Sequence, residues 1–330
     1  MLILLSAFSN LVLTGVVLFG FATGLVQDGQ PESGVAIATV SPTTAPTTPP
    51  TTTEPVQPES ASHEIHDADA LLDALEVAGK DIHVFSATLR YVKTFAIQGD
   101  TQTRDGRLIF VSRSEDLGGE KRGVGGAVGG GVGDELTRGD ELTRRFGITF
   151  TRLIIGDRIE DASTGFEEHY IFDGQWLAEV YPREHQFIRR QVVRPGEDWD
   201  PLRIGQGPFP IPIQQKKADI LAQFDAKLLP STDGLDARNL KQIAQACYQL
   251  ELTTRADVDA RDLRQVRIWY DKKTLLPRIA RTITRADDQA FVLLSDLKTN
   301  SEVVFEASSL STEPPADQAG WNITQEPWQE

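Results

Sequence analysis

The sequence predicts a mainly β domain built on antiparallel sheet. Three observations carry that reading. Apolar and polar residues alternate with period 2 in run after run from Phe85 onward. An Asp-Gly pair, Asp173-Gly174, stands between two such runs, the mark of a hairpin. Apolar stripes at helical spacing occur only twice. Alternation with short turns implies a sheet with one buried and one wetted face.

The elements follow in order. Asp67-Ala68-Asp69 precedes Leu71, Leu72, Leu75 and Val77, the pattern of a short amphipathic helix with an acidic first turn. Phe85, Ala87, Leu89 and Tyr91 alternate with Ser86, Thr88 and Arg90, and Arg107 to Val111 gives a second strand. Phe146, Ile148 and Phe150 alternate with Gly147, Thr149 and Thr151. The strongest hairpin signal is Tyr170-Ile171-Phe172, the Asp-Gly pair, then Trp176 to Tyr181. Phe187 to Val193 continues the meander. Pro208 to Pro212 forms a stiff crossing, and Lys216 to Leu229 reads as a second helix with Ile220, Leu221, Phe224 and Leu228 on one stripe. Strands return at Ala246 to Leu252, Val266 to Tyr270, Ile279 to Thr284 and Phe291 to Leu297.

The 330 residues divide unevenly. Residues 1–26 are almost wholly apolar and long enough to span a bilayer, so they read as a signal peptide or a membrane anchor. The positive flank expected of a signal is missing, as it would be if the true start lay upstream of Met1. Residues 27–62 form a linker, with seven Thr and six Pro among the 18 residues from Ser41 to Pro58. Such a stretch buries no core and favours extended conformations. Residues 63–330 form the folded domain, interrupted over 114–145 by an insertion. Nine of the sixteen residues from Gly118 to Gly133 are Gly, and Gly133–Arg138 and Gly139–Arg144 repeat the same six residues. Long surface insertions cost little loop entropy, so a fold tolerates one.

The net charge of −15 is concentrated at the N-terminus. The first 79 residues hold nine acids and no Lys or Arg, which leaves −6 for the remainder. An acidic chain argues against nucleic acid as a partner. The single Cys247 permits no internal disulfide, and it reads as a packed small residue in a strand.

No catalytic centre stands out. The Gly tract lacks both G-x-G-x-x-G and a following Lys-Ser/Thr, so it is no phosphate cradle. His63 and His66 flank Glu64 at a helix start without a third metal ligand at a set distance. Glu168-His169 and Glu184-His185 pair a carboxylate with an imidazole, and no nucleophile elbow accompanies them. Asn322-Ile323-Thr324 matches a glycosylation sequon, a triplet common by chance. An exported β-rich domain of this kind is expected to be a binder that uses no metal or cofactor.

The order of elements resembles the LolA/LolB superfamily of periplasmic lipoprotein carriers and receptors, from about Ala68 to Pro315 without the insertion. The resemblance rests on the opening helix and the strand ending near Tyr91; on Asp105-Gly106-Arg107-Leu108-Ile109-Phe110; and on Ile171 to Leu177 with Val180-Tyr181-Pro182 and Glu184-His185-Gln186. It rests further on Ile268-Trp269-Tyr270-Asp271-Lys272 running into Leu276-Pro277-Arg278, and on Val304-Phe305-Glu306 followed by Pro314-Pro315. It implies a strongly curved antiparallel sheet forming an unclosed barrel, with helices packed on the concave side. It also implies an apolar concave face that holds lipid or lipoprotein acyl chains, since each CH₂ withdrawn from water contributes about 0.8 kcal/mol. The candidate lining is Phe85, Leu89, Tyr91, Leu108, Phe110, Phe146, Ile148, Phe150, Tyr170, Phe172 and Trp176. The same residues would equally line a packed sandwich core. The family's carrier latches its lid with an Arg on an early strand. The nearest counterpart is Arg113, one residue out of step and without the Pro that follows it.

The resemblance implies a non-enzymatic protein of the periplasm or cell envelope, in outer-membrane lipoprotein sorting or transport, with a membrane-protein partner in the envelope. A retained N-terminal anchor would instead suit a fixed acceptor or an envelope-stress sensor of the same fold. A metal-dependent hydrolase using His63 and His66 is the reading from another class.

Overall fold

The computed structural model describes residues 65–113, 143–194, 204, 213–256 and 262–328. The apolar N-terminus, the Thr/Pro linker, His63 and most of the Gly-rich insertion lie outside the described residues. Residues Ile65–Glu330 form one unit, distinct from Met1–Glu64.

Asp67 starts the first helix. Its backbone is extended and its side chain accepts the Ala70 N–H at 2.8 Å, which satisfies one orphan donor of α1 (Ala68–Gly79). The strands follow as β1 (Val84–Thr94), β2 (Thr101–Arg113), β3 (Thr143–Ile155), β4 (Arg158–Asp161), β5 (Glu168–Phe172), β6 (Trp176–Tyr181) and β7 (Gln186–Gln191). After a short α2 (Lys217–Leu221) come β8 (Phe224–Leu229), α3 (Arg238–Ala244), β9 (Cys247–Thr254), β10 (Leu263–Asp271), β11 (Pro277–Thr284), β12 (Gln289–Thr299) and β13 (Asn322–Glu326). All thirteen strands join one sheet in the order β13-β7-β6-β5-β3-β2-β1-β12-β11-β10-β9-β8, with β4 on β3. The two end strands do not pair, so the sheet is an unclosed barrel, as expected. A twisted sheet wider than about ten strands curls rather than staying flat.

Registers show how one face becomes the core. Directly paired residues share a face. Phe85 pairs with Phe110 and Ala87 with Leu108. Phe110 then pairs with Phe146, and Leu108 with Ile148. Phe146 continues to Phe172, and Ile148 to Tyr170. In the other direction Tyr91 pairs with Val292, Val292 with Ala280, Ala280 with Ile268, Ile268 with Leu250, and Leu250 with Leu228. This continuous apolar row lines the concave face. Leu71 and Leu72 of α1 and Ile220 of α2 are buried, and α1 packs beside α2 and β8.

The convex face carries two smaller cores. One gathers Trp269, Ile279, Cys247, Ala244 and Leu235, with Leu240 and Ile243 of α3 packed on it. The Trp269 indole N–H donates to the Ser231 carbonyl at 2.7 Å. The other gathers Ile171, Ala178 and Phe187 under Trp321 and Ile323. The 3-10 turn Ala307–Leu310 lies on β3, so close that a Cβ at Gly147 would strike the Ser309 carbonyl.

Three departures from the sequence reading have physical causes. The helix expected over Lys216–Leu229 ends at Leu221, and Phe224–Leu229 is strand. Phe224, Ala226 and Leu228 also alternate with period 2, and pairing with β9 overrides the helical stripe. Not every helix lies on the concave side, because α3 covers Trp269 on the convex one. The insertion is shorter than 114–145, since the second repeat's Thr143 and Arg144 already belong to β3. The sequon Asn322-Ile323-Thr324 begins a strand that pairs in parallel with β7.

Gly106 is the tightest point of the ladder. A Cβ there would stand 2.9 Å from the Phe150 Cα and closer still to the Thr149 carbonyl. Both contacts are backbone and cannot swing away. Gly106→Ala is therefore expected to destabilise the domain by about 2–4 kcal/mol, read from the urea midpoint.

Candidate functional site

The concave face has an apolar part and a polar end. Ten of the eleven candidate lining residues come together on it: Phe85, Leu89, Tyr91, Leu108, Phe110, Phe146, Ile148, Phe150, Tyr170 and Phe172. None is more than 7% exposed. An aromatic row crosses the strands. Tyr91 meets Phe150 at 6.4 Å between ring centroids, Phe150 meets Tyr170 edge-on at 6.0 Å, and Tyr170 meets Tyr181 edge-on at 6.5 Å. Phe146 stacks on Phe172 at 5.7 Å. Edge-on and offset contacts of this kind add to the area term. Gly106, opposite the β3 bulge at Thr151, leaves the room that lets β3 approach at this point.

Trp176 is not with them. Leu177 pairs with Phe172, so Leu177, Glu179 and Tyr181 share the concave face, and Trp176 falls on the convex one. The connection is three residues long. Asp173 accepts the Gln175 and Trp176 N–H groups at 2.9 and 2.8 Å. The Trp176 ring is covered by the Arg189 guanidinium at 4.5 Å instead. Arg113 occupies the last pair of the β2–β3 ladder, opposite Thr143.

The polar end was not singled out from the sequence. Arg104 is only 3% exposed and bonds Glu168 at 3.1 Å and Gln102 at 3.0 Å. Glu179, also 3% exposed, pairs with Arg190 and accepts from the Tyr181 hydroxyl at 3.0 Å. The Tyr170 and Tyr181 hydroxyls are 3.3 Å apart. Arg183 bonds Glu160 at 2.5 Å. Burial pushes the Tyr91 hydroxyl up to about 12, with Arg104 opposing it. Burial likewise lifts the Glu179 carboxyl above the ordinary range against the pull of Arg190. A signal was available: Arg104 has the strand parity of Leu108 and Phe110, and Glu168 that of Tyr170 and Phe172.

The other sequence candidates separate. Adjacent strand residues face opposite ways, so Glu168 meets Arg104 while His169 bonds Thr149 at 3.0 Å on the convex side. Burial lowers the His169 pKa, with Glu167 opposing. Glu184 pairs with Arg183, and His185 lies edge-on to Trp321. Cys247 is buried and its thiol is pushed up to about 11, chiefly by burial. Among the described residues no group of three His, Cys, Asp or Glu is placed to hold a metal, and no helix is long and apolar enough to cross a membrane.

One cleft opens beside the helices. Leu72, Leu75, Ile82, Ile213, Tyr270 and Leu276 line it, and it encloses about 20 Å³, room for a single water. The helices above it are tied by polar groups. The Lys217 N–H donates to Glu76 at 2.9 Å, its ammonium meets Asp69 at 2.7 Å and Asp73 at 2.9 Å, and Gln214 donates to the Ile82 carbonyl at 2.7 Å. Arg144 donates to the Gln214 carbonyl at 2.8 Å.

The class these features define is an open, curled antiparallel sheet with an apolar concave face under short helices. No protein-family model and no curated protein matches the sequence. Solved structures similar to the chain include an uncharacterized conserved protein from Thermus thermophilus, 10% identical, with a TM-score of 0.37, covering 78% of this chain and 98% of that one. A LolA superfamily protein from Nitrosomonas europaea is 12% identical with a TM-score of 0.28, covering 72% of this chain and 95% of that one. The Pseudomonas aeruginosa MucA/MucB complex is 16% identical with a TM-score of 0.31, covering 74% of this chain and 60% of that one. The resemblance named from the sequence is thus among the solved folds, and likenesses this distant say nothing about a ligand.

Removing one partner of a buried ion pair strands the other charge. Arg190→Met is expected to cost about 3–5 kcal/mol, and Glu179→Gln in the same chain to return part of that, giving a non-zero coupling in a double-mutant cycle of urea midpoints. The pH dependence follows from the raised carboxyl. A folded pKa above the unfolded one favours the protonated native state. That stability is present below about pH 4.3 and is lost as pH rises through the raised value. Glu179→Gln should flatten this decline in midpoints measured from pH 4 upward.

Proposed function

We propose that the chain is a non-enzymatic cell-envelope protein that binds lipid or lipoprotein acyl chains against its concave face, in outer-membrane lipoprotein sorting or transport. The observation that carries the reading is an apolar concave face shared by both halves of the sheet, covered at one side by two short helices held through exposed ion pairs. The face suits an amphiphile. Its aromatic row supplies apolar area, and the row ends at Tyr170 and Tyr181 beside charged groups.

In this structure ten of the candidate lining residues are buried, and the cleft beside α1 holds about 20 Å³. An acyl chain enters only if α1 and α2 lift. Ligand then favours the lifted state by its differential affinity for it. The ties that resist lifting are Lys217 with Asp69 and Asp73, both acids exposed, so they are weakened by salt. Export through the N-terminal apolar segment would place the domain in an aqueous compartment, where acyl chains need shelter. An envelope partner would load or unload the chain.

The protein purified from its native envelope is expected to carry acyl species that mass spectrometry detects in an organic extract. Extracts devoid of lipid, together with no uptake of a fluorescent fatty acid, would falsify the proposal. Leu75→Trp, which fills the cleft, should weaken that uptake about tenfold. Lys217→Ala should speed it, and added salt should speed the wild type in the same direction.

A further inference from the structure

β13 joins the sheet in its own manner. Among the described pairings it is the parallel one, and it lies on β7 at the sheet's edge. The segment 300–321 separates it from β12. None of its five residues is buried. Its hold on β7 is nevertheless specific. Ile323 pairs with Phe187 and, with Trp321, covers Ile171 and Ala178. Three residues after Ile323, Glu326 accepts from the Arg190 guanidinium at 2.7 Å. The Asn322 N–H donates to the His185 carbonyl at 2.7 Å, and the Trp328 N–H to the Gln191 side chain at 3.1 Å.

Arg190 is gripped from both sides. Glu326 lies toward the edge, and the buried Glu179 of β6 holds the guanidinium from within the sheet. Without β13, Arg190 would keep its position through Glu179. Phe187 and Ala178 would present an apolar patch on the opposite, convex face, and the outer backbone groups of β7 would be unpaired. An edge of that kind accepts an added strand: the main chain supplies affinity, and alternate side-chain positions supply selectivity.

We infer that the β7 edge is a docking site for an extended segment of another polypeptide, and that β13 occupies it in competition. The segment carries a large apolar residue and, three positions later, a carboxylate. Charge complementarity argues for that chemistry: the edge offers a pre-positioned guanidinium on one face and an apolar surface on the other, and two side chains three positions apart on an added strand reach both. The tether to β12 gives β13 a high effective concentration, so the edge stays covered until a better-matched segment arrives. This inference is independent of what the concave face binds.

The test uses the full chain and a fluorescein-labelled peptide with the sequence of residues 319–328, followed by fluorescence anisotropy. Wild type is compared with Ile323→Asp and Glu326→Arg, which weaken the chain's own strand. Each variant is expected to bind the peptide about tenfold more tightly than wild type. A peptide with Asp in place of the Ile323 residue should bind none of them. Should Ile323→Asp fail to fold by circular dichroism, Glu326→Arg carries the comparison. Folded variants that do not bind the peptide overturn the inference. Equal affinity for all three proteins also overturns it, since the peptide then sits elsewhere. Concentration-dependent dimers that exchange β13 would assign the edge to a second copy and equally overturn it.

Discussion

Everything in this domain depends on burying one face of a very wide sheet. Thirteen strands in a single layer expose two broad surfaces, and the apolar one cannot stay in water. Curling brings the Phe110 half and the Ile268 half of that face to a common interior. Two short helices, α1 and α2, complete the cover on one side. The convex surface is then left with local problems, solved piecemeal by α3 over Trp269 and by Trp321 and Ile323 over Phe187.

The concave face does not stay apolar to its end. Past Tyr170 the row meets Glu179, Arg190, Arg104 and Glu168, all paired. Burying such groups is costly unless every partner is present, so this end is rigid in composition. The apolar part tolerates rearrangement better, because apolar contacts are non-directional. The face therefore combines a fixed polar end with a floor whose cover rests on solvent-exposed ion pairs. That combination fits a site that opens beside α1 and holds firm at β6 and β7.

Much of this was legible in the residues themselves. Period-2 alternation placed Phe85, Leu89, Leu108, Phe110, Phe146, Ile148, Phe150, Tyr170 and Phe172 on one face, because a strand turns each successive side chain over. Trp176 was misplaced because the hairpin sets Leu177 opposite Phe172, which leaves Trp176, one residue earlier, on the other face. Phe224 to Leu229 fits helical and strand spacing alike, and only the presence of β9 beside it decides between them. The Arg104–Glu168 pair joins residues 64 apart in the chain, and the Arg190–Glu179 pair depends on the β6–β7 register, so composition alone could not match them.

The sequence by itself determined which residues share a face within each strand, where the Asp173-Gly174 hairpin falls and that no compact catalytic motif is present. Those are local properties, set by strand parity, turn chemistry and short-range spacing. Tertiary structure alone decided how far the sheet curls, which face α3 covers, and that the cleft beside α1 encloses only about 20 Å³. It alone placed β13 in parallel on β7. The reason is physical: these outcomes depend on contacts between distant segments, whose energies no single stretch of chain contains.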